Sequence, residues 1–308
     1  PAHNDETRQI ADINRTFAAN HRINHFYDGL GICHIVLPER GHLKPGMFVV
    51  GGDSHSPTGG AFGAYMFGIG ATEMAGVLAT GDIWVRVPET IAIEWNGTFN
   101  RGVTAKDVML FLCGCLGMEG GGYQAVEYSG TAIAGLPMQE RMTLSNMTAE
   151  IGGQTGLIAP DDTTAAFIRN AGADPGDMAY WHSAADAAVS ERHSFNASQL
   201  VPYVAAPHSP ANSAPVGEHG NTAITVAYIG ACTGAKLADL RMAAEILRGH
   251  KAASSVKLIV APASRRDQQT AQDEGLMQVF EDAGAEIFPN ACGICAGYGG
   301  TLNEDAVC

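Results

Sequence analysis

Apolar runs and polar connections alternate along the first two-thirds of the chain in a pattern of short strands and longer helices. Residues 47–51 and 90–93 are apolar runs typical of buried strands, and residues 106–116 have helical spacing. Residues 205–221 are polar and proline-rich with no apolar period, which is typical of a linker. Residues 1–204 are therefore predicted to form a mixed α/β region that ends at this linker.

A more regular pattern follows the linker, over residues 222–308. The predicted elements are, in chain order, a strand at 223–230, a helix at 237–247, a strand at 256–261, a helix at 268–283 and a strand at 285–288. This order predicts a βαβαβ domain with parallel strands, whose functional residues gather at the carboxyl ends of the strands. The whole chain is thus predicted to be a multi-domain α/β protein.

Charge and composition narrow the possible partners. The net charge of -14 gives no general attraction to phosphate backbones or anionic lipids, so no nucleic-acid or membrane partner is expected. The longest apolar stretch, residues 61–71, falls short of the roughly 20 residues that span a bilayer. The first ten residues lack the pattern of a secretion signal, which favours a cytoplasmic location. In that reducing compartment the 7 cysteines are expected to ligate metal or to pack as thiols.

Three cysteines follow strands of the predicted βαβαβ domain. Cys232 comes directly after the first strand, and Cys292 and Cys295 come after the third. In a parallel sheet these thiols meet at one edge, and without an obvious fourth ligand they suit an iron–sulfur cluster with one open iron, or a zinc site. An iron that lacks a protein ligand can bind a hydroxyl or carboxylate as a Lewis acid. The remaining cysteines have no such spacing, and Cys113 and Cys115 are expected to be core thiols.

Histidines and carboxylates form a second candidate site in the first two-thirds of the chain. His34 lies in the segment GICHIVLPE, and Asp53, Ser54 and His55 follow a predicted strand. Glu150 is the one acid among small and apolar residues in SNMTAEIGG. An imidazole that is hydrogen-bonded to a carboxylate has a fixed tautomer and a raised basicity, as proton transfer requires.

The motifs together resemble the aconitase superfamily. They are GICHIVLPE, GDSHSPTGGAFGAYMFGIGATEM, LATGDIWVRVP, RMTLSNMTAEIGG, IGACTGAKLADLRMAAEIL and ACGICAG, and they occur in the family's order over almost the whole chain. Within the superfamily the sequence is most similar to the large subunit of 3-isopropylmalate dehydratase and to homoaconitase-like hydro-lyases. The resemblance implies parallel or mixed sheets flanked by helices around a cluster cleft.

The same resemblance implies a cofactor and a reaction. Cys232, Cys292 and Cys295 would ligate three irons of a 4Fe–4S cluster and leave the fourth iron for the substrate. The substrate would be a small 2- or 3-hydroxy di- or tricarboxylic acid, such as isopropylmalate, from which water is removed and to which it is re-added.

Roles for the other candidate residues also come from the resemblance. His34 with Asp53, and His55 with Glu150, would form two imidazole–carboxylate pairs around the substrate and its departing hydroxyl group. Ser54 would lie between them in the wall of the active site.

The chain departs from the family pattern at its ends and near the cluster. An Asp-His pair that usually precedes the position of Pro1, and a Ser-Asn-Arg segment that usually follows the position of Cys308, are missing. The sequence is therefore expected to be truncated at both ends, either as a fragment of a longer subunit or as a reduced member of the family. Gly234 stands where the family usually has asparagine. The catalytic serine of the family lies in a swivelling domain, so the resemblance implies a separate small subunit that carries this domain.

Two alternatives to the hydro-lyase compete with it. A non-catalytic, degenerate iron–sulfur or zinc-binding paralogue would explain Gly234 and the missing motifs, but such a protein has no need of imidazole–carboxylate pairs. A thiol–disulfide oxidoreductase built on the CGIC motif would leave Cys232 and the N-terminal motifs without a role.

Overall fold

The computed structural model describes residues 4–297, 302 and 306–308. Its α-helices are α1 (Asp5–Asn20), α2 (Cys33–Glu39), α3 (Ala71–Thr80), α4 (Ala105–Leu116), α5 (Thr131–Ala134), α6 (Met138–Asn146), α7 (Asp162–Asn170), α8 (Ala231–Gly234), α9 (Leu237–Leu247), α10 (Arg265–Asp273) and α11 (Leu276–Asp282). Its strands are β1 (Phe48–Gly51), β2 (Tyr65–Gly68), β3 (Thr90–Asn96), β4 (Ala125–Ser129), β5 (Thr155–Ile158), β6 (Glu191–Asn196), β7 (Tyr203–Ala205), β8 (Ser213–Pro215), β9 (Val226–Gly230), β10 (Lys257–Ala261) and β11 (Glu286–Ile287). Short 3₁₀-helices lie at Ser56–Phe62, Met147–Ile151, Ala197–Gln199, Val216–His219 and Gly293–Ala296.

The chain divides into two compact units. One unit, here called the central unit, is Leu37–Thr222. The other, called the terminal unit, combines Pro1–Val36 with Ala223–Cys308.

The central unit is built on a parallel sheet with the strand order β5-β4-β3-β6. The middle strand β3 is largely buried, and its Trp95 stacks on Phe195 of β6 with ring centroids 4.8 Å apart. Phe111 of α4 meets Trp95 edge to face at 5.6 Å. Helix α4 begins in a capping box, in which the Thr104 amide donates to the Asp107 carboxylate at 2.7 Å. Burial of these aromatic rings anchors the helix to the sheet.

A second, two-stranded parallel sheet pairs β1 with β2 in the same unit. Gly51 and Gly68 end the two strands opposite each other, so the carboxyl ends of both strands lie at one edge. Parallel sheets commonly carry functional side chains at this edge. The residues that follow Gly51 are the predicted site residues Asp53, Ser54 and His55.

Arg141 fixes helix α6, which leads to the turn that carries Glu150. Its fully buried guanidinium donates to both carboxylate oxygens of Asp161, at 2.8 and 2.7 Å, and to the carbonyls of Leu136 and Ala134. Asp161 also caps α7 by accepting from the Thr163 amide at 2.9 Å. One carboxylate therefore holds two helices in place.

Replacing Asp161 with alanine is expected to lower the free energy of unfolding by about 2–4 kcal/mol, because a buried charge loses its partner and α7 loses its cap. The Asp161 side chain is 38% exposed, which keeps the loss below that of a fully buried pair. Thermal unfolding measures the change. Asp162→Ala, at the exposed neighbouring position, is the control, and equal destabilisation by both variants would contradict the argument.

The terminal unit contains the three-stranded parallel sheet β11-β10-β9, as predicted for the βαβαβ domain. Helices α9, α10 and α11 pack on it around Leu240, Phe280 and Val260. The helix predicted at 268–283 is wrong as a single element, because Gly275 adopts a left-handed φ of +73° between α10 and α11. Glycine adopts that conformation without steric cost, so it separates the two helices.

The predicted domain limits also differ from the observed units. Residues 30–32 bond with residues 263–265: the Ile32 amide donates to the Ala263 carbonyl at 3.0 Å, and the Arg265 amide to the Leu30 carbonyl at 2.8 Å. Pro1–Val36 thus belongs to the terminal unit. The sequence had predicted that these residues belong to a single region over residues 1–204. The predicted linker 205–221 instead contains β8, which pairs with β7, and Ser213 donates to the Leu110 carbonyl of α4. Neither long-range contact is visible in local sequence patterns.

Among helices α1 to α11, in the described part of the chain, none is both long enough and apolar enough to cross a membrane.

Candidate active-site groups

A tight turn after β1 presents Asp53, Ser54 and His55. The Asp53 carboxylate accepts the His55 amide at 2.7 Å, and the Asp53 carbonyl accepts the Ser56 hydroxyl at 2.7 Å. Gly68 of β2 lies against this turn so closely that a side chain there would come within 2.6 Å of the Asp53 carbonyl. The turn is therefore fixed by local hydrogen bonds and by a close backbone approach.

His55 and Glu150 form a hydrogen-bonded pair within the central unit. Nε2 of His55 donates to Oε1 of Glu150 at 3.1 Å, and Nδ1 of the same ring lies 3.3 Å from the Ser54 hydroxyl. Both side chains are half-buried, with 25% and 29% of their surfaces exposed. The hydrogen bond to Glu150 raises the pKa of His55 above its usual value of 6.5, although burial opposes it. This geometry favours an imidazolium whose Nδ1 proton faces Ser54.

A buried chain of polar groups connects the two partners of this pair. The Asn146 amide at the end of α6 donates to the Thr58 hydroxyl at 2.9 Å, and Thr58 donates to the His55 carbonyl at 2.7 Å. The turn that carries Glu150 starts directly after Asn146. Sequence reasoning missed Thr58 and Asn146, although both are polar residues inside the motifs that carry the site.

A cavity of about 380 Å³ adjoins Asp53 and Ser54. Its other walls come from Gly68 at the end of β2 and from Ile69, from residues 149 and 152–154 next to Glu150, and from Tyr123. All of these residues belong to the central unit, so this unit alone forms a concave space next to three of the predicted site residues.

The three predicted cysteine ligands meet in the terminal unit. Cys232 is buried in α8 directly after β9, and the 3₁₀ turn after β11 carries Cys295, whose amide donates to the Cys292 carbonyl at 3.2 Å. Tyr228 of β9 reaches the same place, because its hydroxyl donates to the Cys292 carbonyl at 2.8 Å. Burial raises the pKa of Tyr228, and the side chains of Cys295, Cys292 and Cys232 raise it further, so all three cysteines lie near one phenol.

A buried lysine supports the first of these cysteines. Lys236 has 1% of its side chain exposed, and its ammonium donates to the Cys232 carbonyl at 3.1 Å and pairs with Asp239 at 3.0 Å. The Asp239 carboxylate also accepts the Lys236 amide at 2.9 Å. The ammonium and this cap together hold the turn from Cys232 into α9.

The donor set fits the predicted cofactor. Cys232 is buried, Cys292 is half-buried and Cys295 is exposed, so the three cysteines extend from the protein interior to the solvent. Three cysteine thiolates at one edge of a parallel sheet suit an iron–sulfur cluster with three protein ligands.

The other sequence predictions have mixed outcomes. His34 is fully buried in the terminal unit, with Nδ1 3.7 Å from the Cys33 sulfur. Its pairing with Asp53 would join the two units and stays a prediction. Cys113 is a buried core thiol as predicted, and burial raises its pKa to about 12. For Cys115 the prediction is wrong, because this residue is exposed near the end of α4.

Comparisons with known proteins agree with the resemblance. Residues 2–308 match the Aconitase family (aconitate hydratase). The chain is 42% identical over 310 aligned positions to the 3-isopropylmalate dehydratase large subunit 1 of Methanopyrus kandleri, covering 100% of this chain and 74% of the relative. A probable methanogen homoaconitase large subunit from Methanosarcina mazei is 40% identical, with coverage of 100% and 78%.

A solved structure also shares the fold. The crystal structure of Thermococcus kodakaraensis aconitase X in its holo-form matches with a TM-score of 0.52 and 14% sequence identity, over 96% of this chain and 70% of that one. At that identity the match shows the fold alone, and it confirms the predicted α/β class.

Proposed function

The chain belongs to the aconitase family, which it matches over residues 2–308. We propose that its histidine–carboxylate residues and its three predicted cysteine ligands together perform a hydro-lyase reaction. The chain is an enzyme of the hydro-lyase class, and the comparisons give no support to a non-catalytic paralogue. The proposed substrate is a small hydroxy di- or tricarboxylic acid. Relatives named 3-isopropylmalate dehydratase and homoaconitase large subunits indicate this class.

The observation that carries the proposal is the pair of His55 and Glu150 next to Ser54. Elimination of water breaks a C–H bond and a C–O bond and forms a C=C bond. The carbon-bound proton would go to the catalytic serine of the proposed small subunit, and the departing hydroxyl needs a proton of its own. Glu150 holds the Nε2 proton of His55, which leaves the Nδ1 proton, on the side of Ser54, for the hydroxyl. Asp53 and Ser54 line the cavity beside this nitrogen and would orient the substrate.

The second part of the proposal concerns the cofactor. Cys232, Cys292 and Cys295 would hold a 4Fe–4S cluster, and Lys236 and Tyr228 would fix the backbone at Cys232 and Cys292. When bound, the cluster supplies a Lewis acid for the hydroxyl and carboxylate of the substrate. His34, buried near the start of α2, is proposed to act on the substrate with Asp53, as the family resemblance implies.

A small subunit is proposed as the partner. The relatives are named large subunits, which indicates a second chain, and this chain is proposed to carry the swivelling domain and its catalytic serine. A reducing cytoplasm is the proposed location, because the three thiols must remain available to the cluster.

Anaerobic reconstitution with iron and sulfide, with and without the small subunit of the same organism, tests the function. We expect about four irons per chain, an EPR signal that shifts with one hydroxy acid, and dehydration that requires both subunits. Stoichiometric zinc without a cluster, or a cluster with no turnover of any hydroxy acid in the complex, would overturn the proposal.

The pH profile tests the role of His55 separately. Glu150→Gln removes the carboxylate that stabilises the imidazolium, so the pKa of His55 is expected to fall toward 6.5. Since the proposed role needs the protonated ring, activity is lost as pH rises through this pKa, and the alkaline limb of kcat/KM moves to lower pH in the variant. Glu191→Gln, at the exposed His193–Glu191 contact, is the control. An unmoved limb would contradict the assignment.

A further inference from the structure

Tyr228 lies between the two segments that carry the proposed cluster ligands. It belongs to β9, which leads directly into α8 and its Cys232, and its hydroxyl donates to the Cys292 carbonyl at 2.8 Å. All three cysteine side chains lie close enough to the phenol to act on it electrostatically. One half-buried side chain therefore extends from the strand before the first ligand to the turn that holds the other two.

Two glycines make room for this phenol, one in each segment. A side chain at Gly230 would overlap the Tyr228 ring, and a side chain at Gly293 would come within 2.5 Å of the phenol oxygen. Gly293 also has a left-handed φ of +57°, a conformation that glycine adopts without steric cost. The backbones of both segments thus approach the phenol more closely than a residue with a Cβ atom would allow.

The phenol also bears on the turn that joins Cys292 to Cys295. The Cys292 carbonyl accepts two hydrogen bonds, one from the Tyr228 hydroxyl at 2.8 Å and one from the Cys295 amide at 3.2 Å. The first bond fastens the turn to β9, and the second closes the turn itself. A phenol, a backbone carbonyl and two glycines make these contacts, so joining the two segments in this way requires no thiol.

The sheet gives Tyr228 a firmer base than it gives the cysteine turn. Strand β9 pairs with β10 along its whole length, with Tyr228 opposite Ile259. The turn follows β11, a strand of two residues whose bonding to β10 ends where the Phe288 amide donates at 2.8 Å. Beyond that point Asn290 reaches the Pro262 carbonyl only at 3.3 Å. The hydrogen bond from Tyr228 is therefore a shorter tie between the turn and the sheet.

From these contacts we infer that Tyr228, seated against Gly230 and Gly293, is a positioning residue that sets the spacing of the proposed cluster ligands. It holds the turn of Cys292 and Cys295 beside Cys232, and retention of a cluster bound by three thiolates depends on such supporting groups. The inference rests on the proposed cofactor. It goes beyond that proposal because it assigns the spacing of the ligands to one phenol and the two glycines that receive it.

Iron release from the reconstituted complex with its small subunit, under a fixed excess of chelator, measures this role. Tyr228→Phe keeps the ring and removes the hydroxyl. We expect iron release to be roughly 2- to 13-fold faster, the change produced by loss of one hydrogen bond worth about 0.5–1.5 kcal/mol. The EPR spectrum of the cluster is expected to shift as well, because the turn at Cys292 relaxes. Tyr180→Phe, at a tyrosine that is 81% exposed in the central unit, is the control.

A double substitution tests the fit between Tyr228 and Gly293. Gly293→Ala is expected to speed iron release about 10-fold or more, because its methyl group meets the phenol oxygen and a left-handed alanine is strained. Adding Tyr228→Phe removes that oxygen, so the double variant should release iron at least about 3-fold more slowly than Gly293→Ala alone. Gly297→Ala is the matched control. Gly297 has a similar φ of +74°, but a side chain there would meet none of the described residues within 4 Å, so Tyr228→Phe should not rescue it.

The outcomes separate this inference from the proposed function. Unchanged iron release in Tyr228→Phe, or equal rescue of Gly293→Ala and Gly297→Ala, would overturn the positioning role. A merely structural role would lower the midpoint of thermal unfolding in Tyr228→Phe and leave iron release and the EPR spectrum of the folded complex unchanged. An unsubstituted complex that takes up no cluster would overturn the proposed cofactor, and the inference with it. Faster release in Tyr228→Phe together with selective rescue of Gly293→Ala would support the inference.

Discussion

Replacing Cys292 with serine is expected to prevent formation of a stable cluster and to lower activity by more than about 100-fold. Loss of a residue that only hydrogen-bonds to a metal ligand typically costs about 10- to 100-fold, and loss of the ligand itself should cost more. Cys292 belongs to the group of three thiols around Tyr228, and its side chain would hold one of the irons. Serine preserves the size of the side chain but is a poor ligand for iron in clusters bound by thiolates. Iron and sulfide content and visible absorbance after anaerobic reconstitution provide the measurement.

Cys115→Ser is the matched control for this substitution. Cys115 is an exposed cysteine in the central unit, whereas the proposed ligands belong to the terminal unit, so its replacement removes a thiol that is not among them. We expect its iron content and activity to equal those of the wild type. Full iron content in Cys292→Ser would remove this residue from the proposed ligand set, and equal losses in both variants would indicate non-specific damage.

Replacing His55 with alanine is expected to lower kcat by about 100- to 10,000-fold, the range for loss of a general acid, while the iron content stays unchanged. The His55 side chain bonds to Glu150 and Ser54 in the central unit, whereas the cysteine turns belong to the terminal unit, so the variant is expected to keep these turns. Because the proton for the departing hydroxyl is lost, kcat should fall more than the affinity for substrate. Rapid-quench kinetics and iron analysis on the same sample measure both quantities.

The matched control for His55→Ala is His193→Ala. His193 lies 3.2 Å from Glu191, so the two residues form another histidine–glutamate contact in the central unit, and their side chains are outside the turn at Asp53. Its removal is expected to leave kcat within about 3-fold of the wild-type value. Wild-type activity in His55→Ala would refute the proposed proton transfer, as would equal losses in the two histidine variants.

Much of the terminal unit could be predicted from sequence because local signals and fold rules agree there. Helix α9 was expected at 237–247 and occupies Leu237–Leu247, since its apolar residues follow the helical period. Parallel strands were expected from the alternation of strands and helices, and the three cysteines follow β9 and β11 at the same edge of the sheet. The convergence of Cys232 with Cys292 and Cys295 is a direct consequence of that topology.

Other features depend on contacts between distant residues, and sequence alone did not provide them. The hydrogen bonds between residues 30–32 and 263–265 cannot be recognised from hydrophobic periodicity, so the predicted domain limits differ from the two compact units. Thr58 and Asn146 are common polar residues whose role depends on their hydrogen bond across the central unit. Tyr123, at the wall of the cavity, has a left-handed backbone conformation that its side-chain type does not predict.

The discontinuous terminal unit imposes an order on the biosynthesis of the protein. Gly31 and Ser264 are bridge partners, yet a ribosome that adds 5–20 residues per second needs about 10–50 s to pass from one to the other. The central unit is continuous in sequence and is synthesised completely within that interval, so it can fold on the nascent chain while the first residues wait for their partners. Since Cys292 and Cys295 follow Ser264 in the sequence, the proposed cluster can be assembled only on a chain whose central unit has already been synthesised completely.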